Sequence, residues 1–198
     1  MKENYIVSNL PAYEWQKIRN KYHIPNQGMD PVAAARVLFE VDDILRGLDL
    51  EYYLACGTVL GFYRDGGFIP WDDEIDVEIL SEVFVPRLGE LREKFIEHGF
   101  IARATYRGKT SKMSIFKDKV KVAFGSMYDN GFGYRCDLSQ KFPSKFYKNP
   151  EKFNFNGRMF TMPGPISEYL RFYYGDWETV VKSYDTSVYL NKNRQWKK

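Results

Sequence analysis

From Asp72 to Ile79 the chain alternates with period two. Asp72, Glu74, Asp76 and Glu78 take every second position, and Ile75, Val77 and Ile79 lie among them. Alternate side chains of a β-strand share a face, so the spacing predicts a strand over about 73–80. Its acids line one side and its aliphatics bury the other. Acidic neighbours on that face sit roughly 6–7 Å apart, from about 3.3 Å of rise per residue. Carboxylates at that spacing can converge on one or two divalent cations. Left uncompensated they repel, and one takes up a proton. A hard cation such as Mg²⁺ removes the repulsion and keeps positions for water and phosphate. The same alternation also describes a half-buried sheet with a solvated acidic face. The metal–phosphate reading is favoured by the Gly57-Thr58 turn upstream, by the turn Phe68-Ile69-Pro70-Trp71, and by a face without Lys or Arg. Asp73 has the opposite parity and is read as capping a turn or orienting a neighbour.

The 198 residues suit one domain, 1–198, with a helical lead-in over 1–30 and closing helices with a basic tail over 163–198. An aromatic share of 17% fits packed cores and ligand-stacking surfaces and argues against disorder. A net charge of +3 is too small to imply nucleic-acid binding. No stretch has the length of a signal peptide's apolar region or of a membrane span, so a cytoplasmic protein is expected. The tail residues Lys192, Arg194, Lys197 and Lys198 leave weak attraction to an anionic inner-membrane surface open. Two cysteines, Cys56 and Cys136, are too few for a disulfide framework or a Cys-based zinc site, and both read as small buried side chains. With only His23 and His98 in the chain, a His-activated nucleophile is not expected.

Helices are expected over 11–22, from the N-cap Asp30 and Pro31 for about five turns, over 58–64, over 83–98 in spite of Pro86, and from Pro165 to about Tyr174 with a turn or two beyond. Strands are expected at 52–56, at the acidic stripe, and near 100–106, 112–117, 119–126 and 134–138, with a turn at Asp129-Asn130-Gly131. The pattern is α+β (mixed α/β), a central mixed sheet with flanking helices.

Gly57-Thr58-Val59-Leu60-Gly61-Phe62-Tyr63-Arg64, followed by Gly67-Phe68-Ile69-Pro70-Trp71-Asp72-Asp73-Glu74-Ile75-Asp76, closely resembles the core motif of the LicD/fukutin family. Glu168-Tyr169-Leu170 with Tyr174-Gly175-Asp176-Trp177 resembles that family's weaker second signature. The resemblance implies a nucleotidyltransferase-like fold. It implies transfer of phosphocholine or a polyol phosphate from a CDP-activated donor to a hydroxyl of a glycan or glycolipid, with Mg²⁺ or Mn²⁺, two ions with donor bound. A nucleotidyltransferase moving NMP from an NTP, and a non-catalytic nucleotide- or glycan-binding relative, are the alternatives. Glu74 departs from the Asp that many members carry.

Glu74 and Asp76 are expected metal ligands on any reading of the stripe, and the resemblance adds Asp72. Asp137 is the candidate third acid and the base for the attacking hydroxyl, or else an ordinary strand-end Asp. Gly57 and Thr58 would offer N–H groups and a hydroxyl to donor phosphate. Arg64 would hold a phosphate or lie on the surface. Trp71 would stack on a base or sugar or close the core. Tyr169, Tyr173, Tyr174 and Trp177 read as core-closing aromatics first and a ligand wall second.

Overall fold

The computed structural model describes residues 5–8, 10–22, 28–106, 108–137 and 140–182. His23 and the basic tail lie outside them. The chain opens with β1 (Tyr5–Ser8) and α1 (Ala12–Tyr22). Asp30 then caps α2 (Pro31–Gly47), its Oδ1 accepting from the Ala33 N–H at 2.8 Å. Pro31 at the first helical position starts the helix without losing a needed donor. Val37, Leu38, Val41, Ile44 and Leu45 give α2 a fully buried stripe.

β2 (Tyr53–Leu54) leads directly into α3 (Cys56–Leu60), which loosens into one π-helical turn over Gly61–Asp65. Gly66, at φ 74°, stops it. β3 (Ile75–Leu80) carries the acidic stripe, and α4 (Ser81–Glu97) follows without a loop. Next come β4 (Ile101–Tyr106), β5 (Lys112–Lys117), β6 (Val120–Asp129), β7 (Tyr134–Cys136) and β8 (Lys141–Pro143). The short α5 (Lys145–Lys148), the hairpin β9 (Glu151–Phe155) and β10 (Arg158–Met162), and α6 (Ile166–Tyr174) close the described chain.

The main sheet runs β1-β4-β5-β6-β3-β2, with β7 paired to the far end of β6 and β8 to β7. Its β3–β6 pair is parallel and the other strand pairs among the described residues are antiparallel, so the sheet is mixed and the fold α+β. α4 covers one face through Phe84 and Phe95, whose rings lie 6.5 and 5.4 Å from Phe124 of β6. Among the described residues no helix is long and apolar enough to cross a membrane.

The acidic strand starts later than its alternation suggests, at Ile75 rather than near 73. The residues before it are held by other means. The Asp72 N–H closes a turn onto the Ile69 carbonyl at 2.9 Å, and the Asp72 carbonyl accepts from the Met29 N–H at 3.0 Å. Segment 28–29 thus crosses this turn so closely that a Cβ on Gly28 would fall 1.8 Å from the Pro70 oxygen. The β9–β10 hairpin was not among the expected elements. It folds the aromatics of β9 against the helical side of the sheet, with Phe155 stacked 4.0 Å from Phe62.

Candidate active site

Three residues of the corner between β2 and α3 grip Asp76. The Ala55 N–H donates to its carbonyl at 3.1 Å. The Gly57 N–H donates to its Oδ2 at 3.2 Å, and its own N–H donates to Thr58 Oγ1 at 2.9 Å. β2 and β3 bring these pieces together, pairing Tyr53 with Glu78 and Leu54 with Val77. The chain then reverses sharply at Cys56, which holds φ 45°, a left-handed conformation that costs a non-glycine residue of the order of 1–3 kcal/mol. Tyr169 of α6 sits behind this corner, its hydroxyl accepting from the Cys56 N–H at 3.3 Å. The two parts of the sequence pattern therefore meet at one corner. Thr58 is 1% exposed, so its hydroxyl positions the Asp76 main chain rather than meeting a donor phosphate as expected.

Asp72 enters from the turn before β3. A Cβ on Gly57 would lie 2.4 Å from Asp72 Oδ2, so the glycine is what lets this carboxylate approach α3. Asp72 is pushed up to about 7, mainly by burial and then by the charges of Glu74 and Asp73, while the N–H groups of Glu74 and Asp73 act against the rise. Burial, followed by Glu74 and Asp72, lifts Asp76 well above the usual carboxylate range. Among the described residues neither Asp72 nor Asp76 is in an ion pair. The cation on this face belongs to Glu74, which is paired with Lys121 of β6. The stripe itself carries no basic residue, and the cation comes from the neighbouring strand. Register explains it: β6 runs parallel to β3 with Ile75 opposite Val122 and Asp76 opposite Ala123, which sets Lys121 beside Glu74.

Glu78 lies further along the same face but is buried, at 8% exposure, and its Oε2 accepts from the Tyr147 hydroxyl at 2.7 Å. Burial pushes it up to about 7. The Tyr147 hydrogen bond and Lys112 oppose that rise, and Asp137 adds to it. The charge of Asp137 thus reaches Glu78. β7 pairs Cys136 with Tyr128, which puts Asp137 level with Met127 and hence with Leu80. That is four residues, about 13 Å, along the strand from Asp76. Asp137 Oδ1 also accepts from the Gln140 N–H at 2.6 Å.

Arg64 is held bidentately by its neighbour Asp65, at 2.8 Å for each contact, and also donates to the Trp177 carbonyl at 3.4 Å. It stands at the far end of the π-helical turn, engaged rather than free for phosphate. Trp71 is half-buried against the core, with the Lys182 ammonium 5.5 Å from its ring centre. Tyr169 and Tyr173 are core residues, and Tyr173 stacks on Phe142 at 5.5 Å.

Among the described residues no three acidic, His or Cys side chains already converge in metal-binding geometry. The donor set nevertheless fits a hard divalent cation. Two crowded carboxylates without a counter-ion, and a third paired with a lysine, are a charge excess of the kind such an ion would remove. Lys121 and Tyr147 were not expected from sequence. The alternation Lys121, Ala123, Gly125 was the available signal for the first, since it marks one face of β6; no local signal places Tyr147 on Glu78.

The LicD/FKTN/FKRP nucleotidyltransferase domain matches residues 49–164, which contain Gly57, Thr58, Asp72, Glu74, Asp76, Glu78, Lys121, Asp137 and Tyr147, while Tyr169, Tyr173, Trp177 and Lys182 follow it. The chain belongs to this family. Its relatives include the uncharacterized protein RP689 of Rickettsia prowazekii (strain Madrid E), 27% identical over 69% of the chain and 55% of that protein. Another is the uncharacterized protein RT0683 of Rickettsia typhi (strain ATCC VR-144 / Wilmington), 26% identical over 57% of the chain and 38% of that protein. The matches thus span about half or less of these curated relatives. Among solved structures, ANT(2")-Ia in complex with adenylyl-2"-tobramycin aligns with a TM-score of 0.46 at 14% identity, over 65% of the chain and 68% of that protein.

Proposed function

We propose that this protein is a divalent-metal-dependent transferase. It moves phosphocholine or a polyol phosphate from a CDP-activated donor to a glycan or glycolipid hydroxyl and releases CMP. The observation that carries the reading is the crowding of Asp72 and Asp76 against Gly57, with Glu74 beside them, inside a LicD/FKTN/FKRP domain. Asp72, Asp76 and, once released from Lys121, Glu74 would hold Mg²⁺ or Mn²⁺. The bound ion would offset phosphoryl charge and acidify the attacking hydroxyl.

The residues themselves do the positioning. The acceptor oxygen forms a bond to the donor's distal phosphorus while the bond from that phosphorus to the bridging oxygen breaks. CMP leaves with the bonding electrons. The acceptor proton would go to a carboxylate of the group. Phosphoryl transfer of this kind depends on placement and charge more than on covalent help. Asp137, level with Leu80 and away from Asp76, would serve the acceptor side rather than the ligand set. The domain's own description favours one second reading, transfer of NMP from an NTP with release of pyrophosphate.

Thermal melts with Mn²⁺ against CDP-choline, CDP-ribitol, CDP-glycerol, CTP, ATP and UDP-sugars test the proposal. A ligand at about 100 times its Kd adds roughly 2.7 kcal/mol if it binds only the folded state. A metal-dependent shift confined to CDP-linked compounds is expected. A shift with NTPs alone would favour nucleotidyl transfer, and none with any nucleotide would overturn both readings.

A further inference from the structure

β6 presents Lys121, Ala123 and Gly125 to the face that carries Asp76 and Glu78. Ala123 and Gly125 add almost nothing to that face; a Cβ on Gly125 would already lie 3.9 Å from Glu78 Cγ. Lys121 is therefore the one long side chain of the three, 20% exposed, with its ammonium paired to Glu74. The placement is odd for a purely structural counter-ion. Among the described residues Asp72 and Asp76 are in no ion pair, while the lysine takes Glu74, whose side chain is 28% exposed. A lysine is a compact point charge on a flexible four-carbon stem, able to change partners without moving the strand.

We propose that Lys121 is the phosphate contact of this site. Its ammonium stands in for a divalent cation at Glu74 in the free protein, and it passes to a non-bridging oxygen of the donor pyrophosphate when metal takes the carboxylates. The inference rests on the metal-dependent reading above. It assigns the anion-binding role to Lys121 instead of Arg64, which Asp65 already holds. No bond is made or broken by Lys121, which only exchanges one anionic partner for another.

The exchange predicts effects of opposite sign on two ligands. Lys121→Met keeps most of the stem and removes the charge. Mn²⁺ alone, titrated calorimetrically, should bind the variant more tightly than wild type, because no ammonium competes for Glu74. CDP titrated at saturating Mn²⁺ should bind more weakly, by on the order of tenfold for one charge-assisted contact. Lys121→Arg should restore CDP binding, and melting curves of both variants check that they are folded. Unchanged CDP affinity in Lys121→Met would overturn the proposal while leaving the metal-dependent reading intact. Weaker CDP binding with no gain in Mn²⁺ affinity would overturn the exchange. Wild-type protein that binds neither Mn²⁺ nor CDP would overturn the underlying reading and this inference with it.

Discussion

Gly57→Ala is a sharp perturbation because local propensity and the site demand opposite signs. Gly57 lies in α3, where replacing glycine by alanine ordinarily stabilises by about 0.5–1 kcal/mol. Here the added methyl would sit 2.4 Å from Asp72 Oδ2 and 3.3 Å from its Cγ, where ordinary contact begins near 3.4 Å. The carboxylate must retreat by about 1 Å, but the turn onto Ile69 and the crossing segment at Met29 tie its backbone at both sides. Overpacking of that kind costs about 1–3 kcal/mol, so a net loss of about 1–2 kcal/mol is expected. Displacing a ligand-bearing carboxylate by about 1 Å should also cost about 100-fold in turnover. Urea unfolding of wild type, Gly57→Ala, Asp72→Ala and the double variant without metal measures the effect. In the Asp72→Ala background the clash is gone, and Gly57→Ala should become neutral or stabilising. A Gly57→Ala protein as stable as wild type, with unchanged Mn²⁺ affinity, would refute the close approach and the reason given for this glycine.

Asp76→Asn should abolish transfer while leaving the melting temperature unchanged or higher, since it removes one of the crowded charges; activity that survives would remove Asp76 from the chemistry. The pH dependence has a definite sign. Asp72 titrates near 7 in the folded protein against 3.8 as an isolated side chain, so its contribution is fully present below about pH 4 and is lost as pH rises toward 7. That loss is worth at most ~4 kcal/mol. Metal-free melting curves should therefore fall across this window, Asp72→Asn should flatten the fall, and saturating Mn²⁺ should reverse it at pH 8 more than at pH 5. Tyr169→Phe removes the acceptor of the Cys56 N–H. It should destabilise by about 1 kcal/mol and speed amide exchange at Cys56, readable by NMR.

Local chemistry made much of this fold legible. Asp30 followed by Pro31 names a helix start because cap and ring act on adjacent residues, and α2 begins where that pair places it. The acidic alternation named β3 for the same reason. The Asn156-Gly157 step carries a turn signal of the same local kind, but the hairpin it closes was not among the expected elements. Both residues hold left-handed conformations, φ 49° and 83°, which a tight two-residue hairpin turn requires, and aromatic residues flank them. What stayed hidden depends on register between distant strands. Lys121 meets Glu74 only because β3 and β6 run parallel in one particular alignment. Asp137 lies level with Leu80, away from Asp76, because β7 joins the far end of β6, beyond the stretch that borders Asp76. Thr58 looked like a phosphate ligand from its place after glycine, yet burial turned its hydroxyl inward to hold the strand that carries the acids. The acidic cluster was written in the sequence; its cation partner and its floor came from packing.

The most direct test is to identify the nucleotide released when the protein is incubated with a CDP-linked donor, Mn²⁺ and a glycan acceptor, with Asp76→Asn as the control. Release of CMP in step with transfer of the phosphocholine or polyol-phosphate group to the acceptor, absent from the Asp76→Asn protein, is the predicted result. Pyrophosphate released from an NTP, with no CMP from any CDP-linked compound, would contradict it.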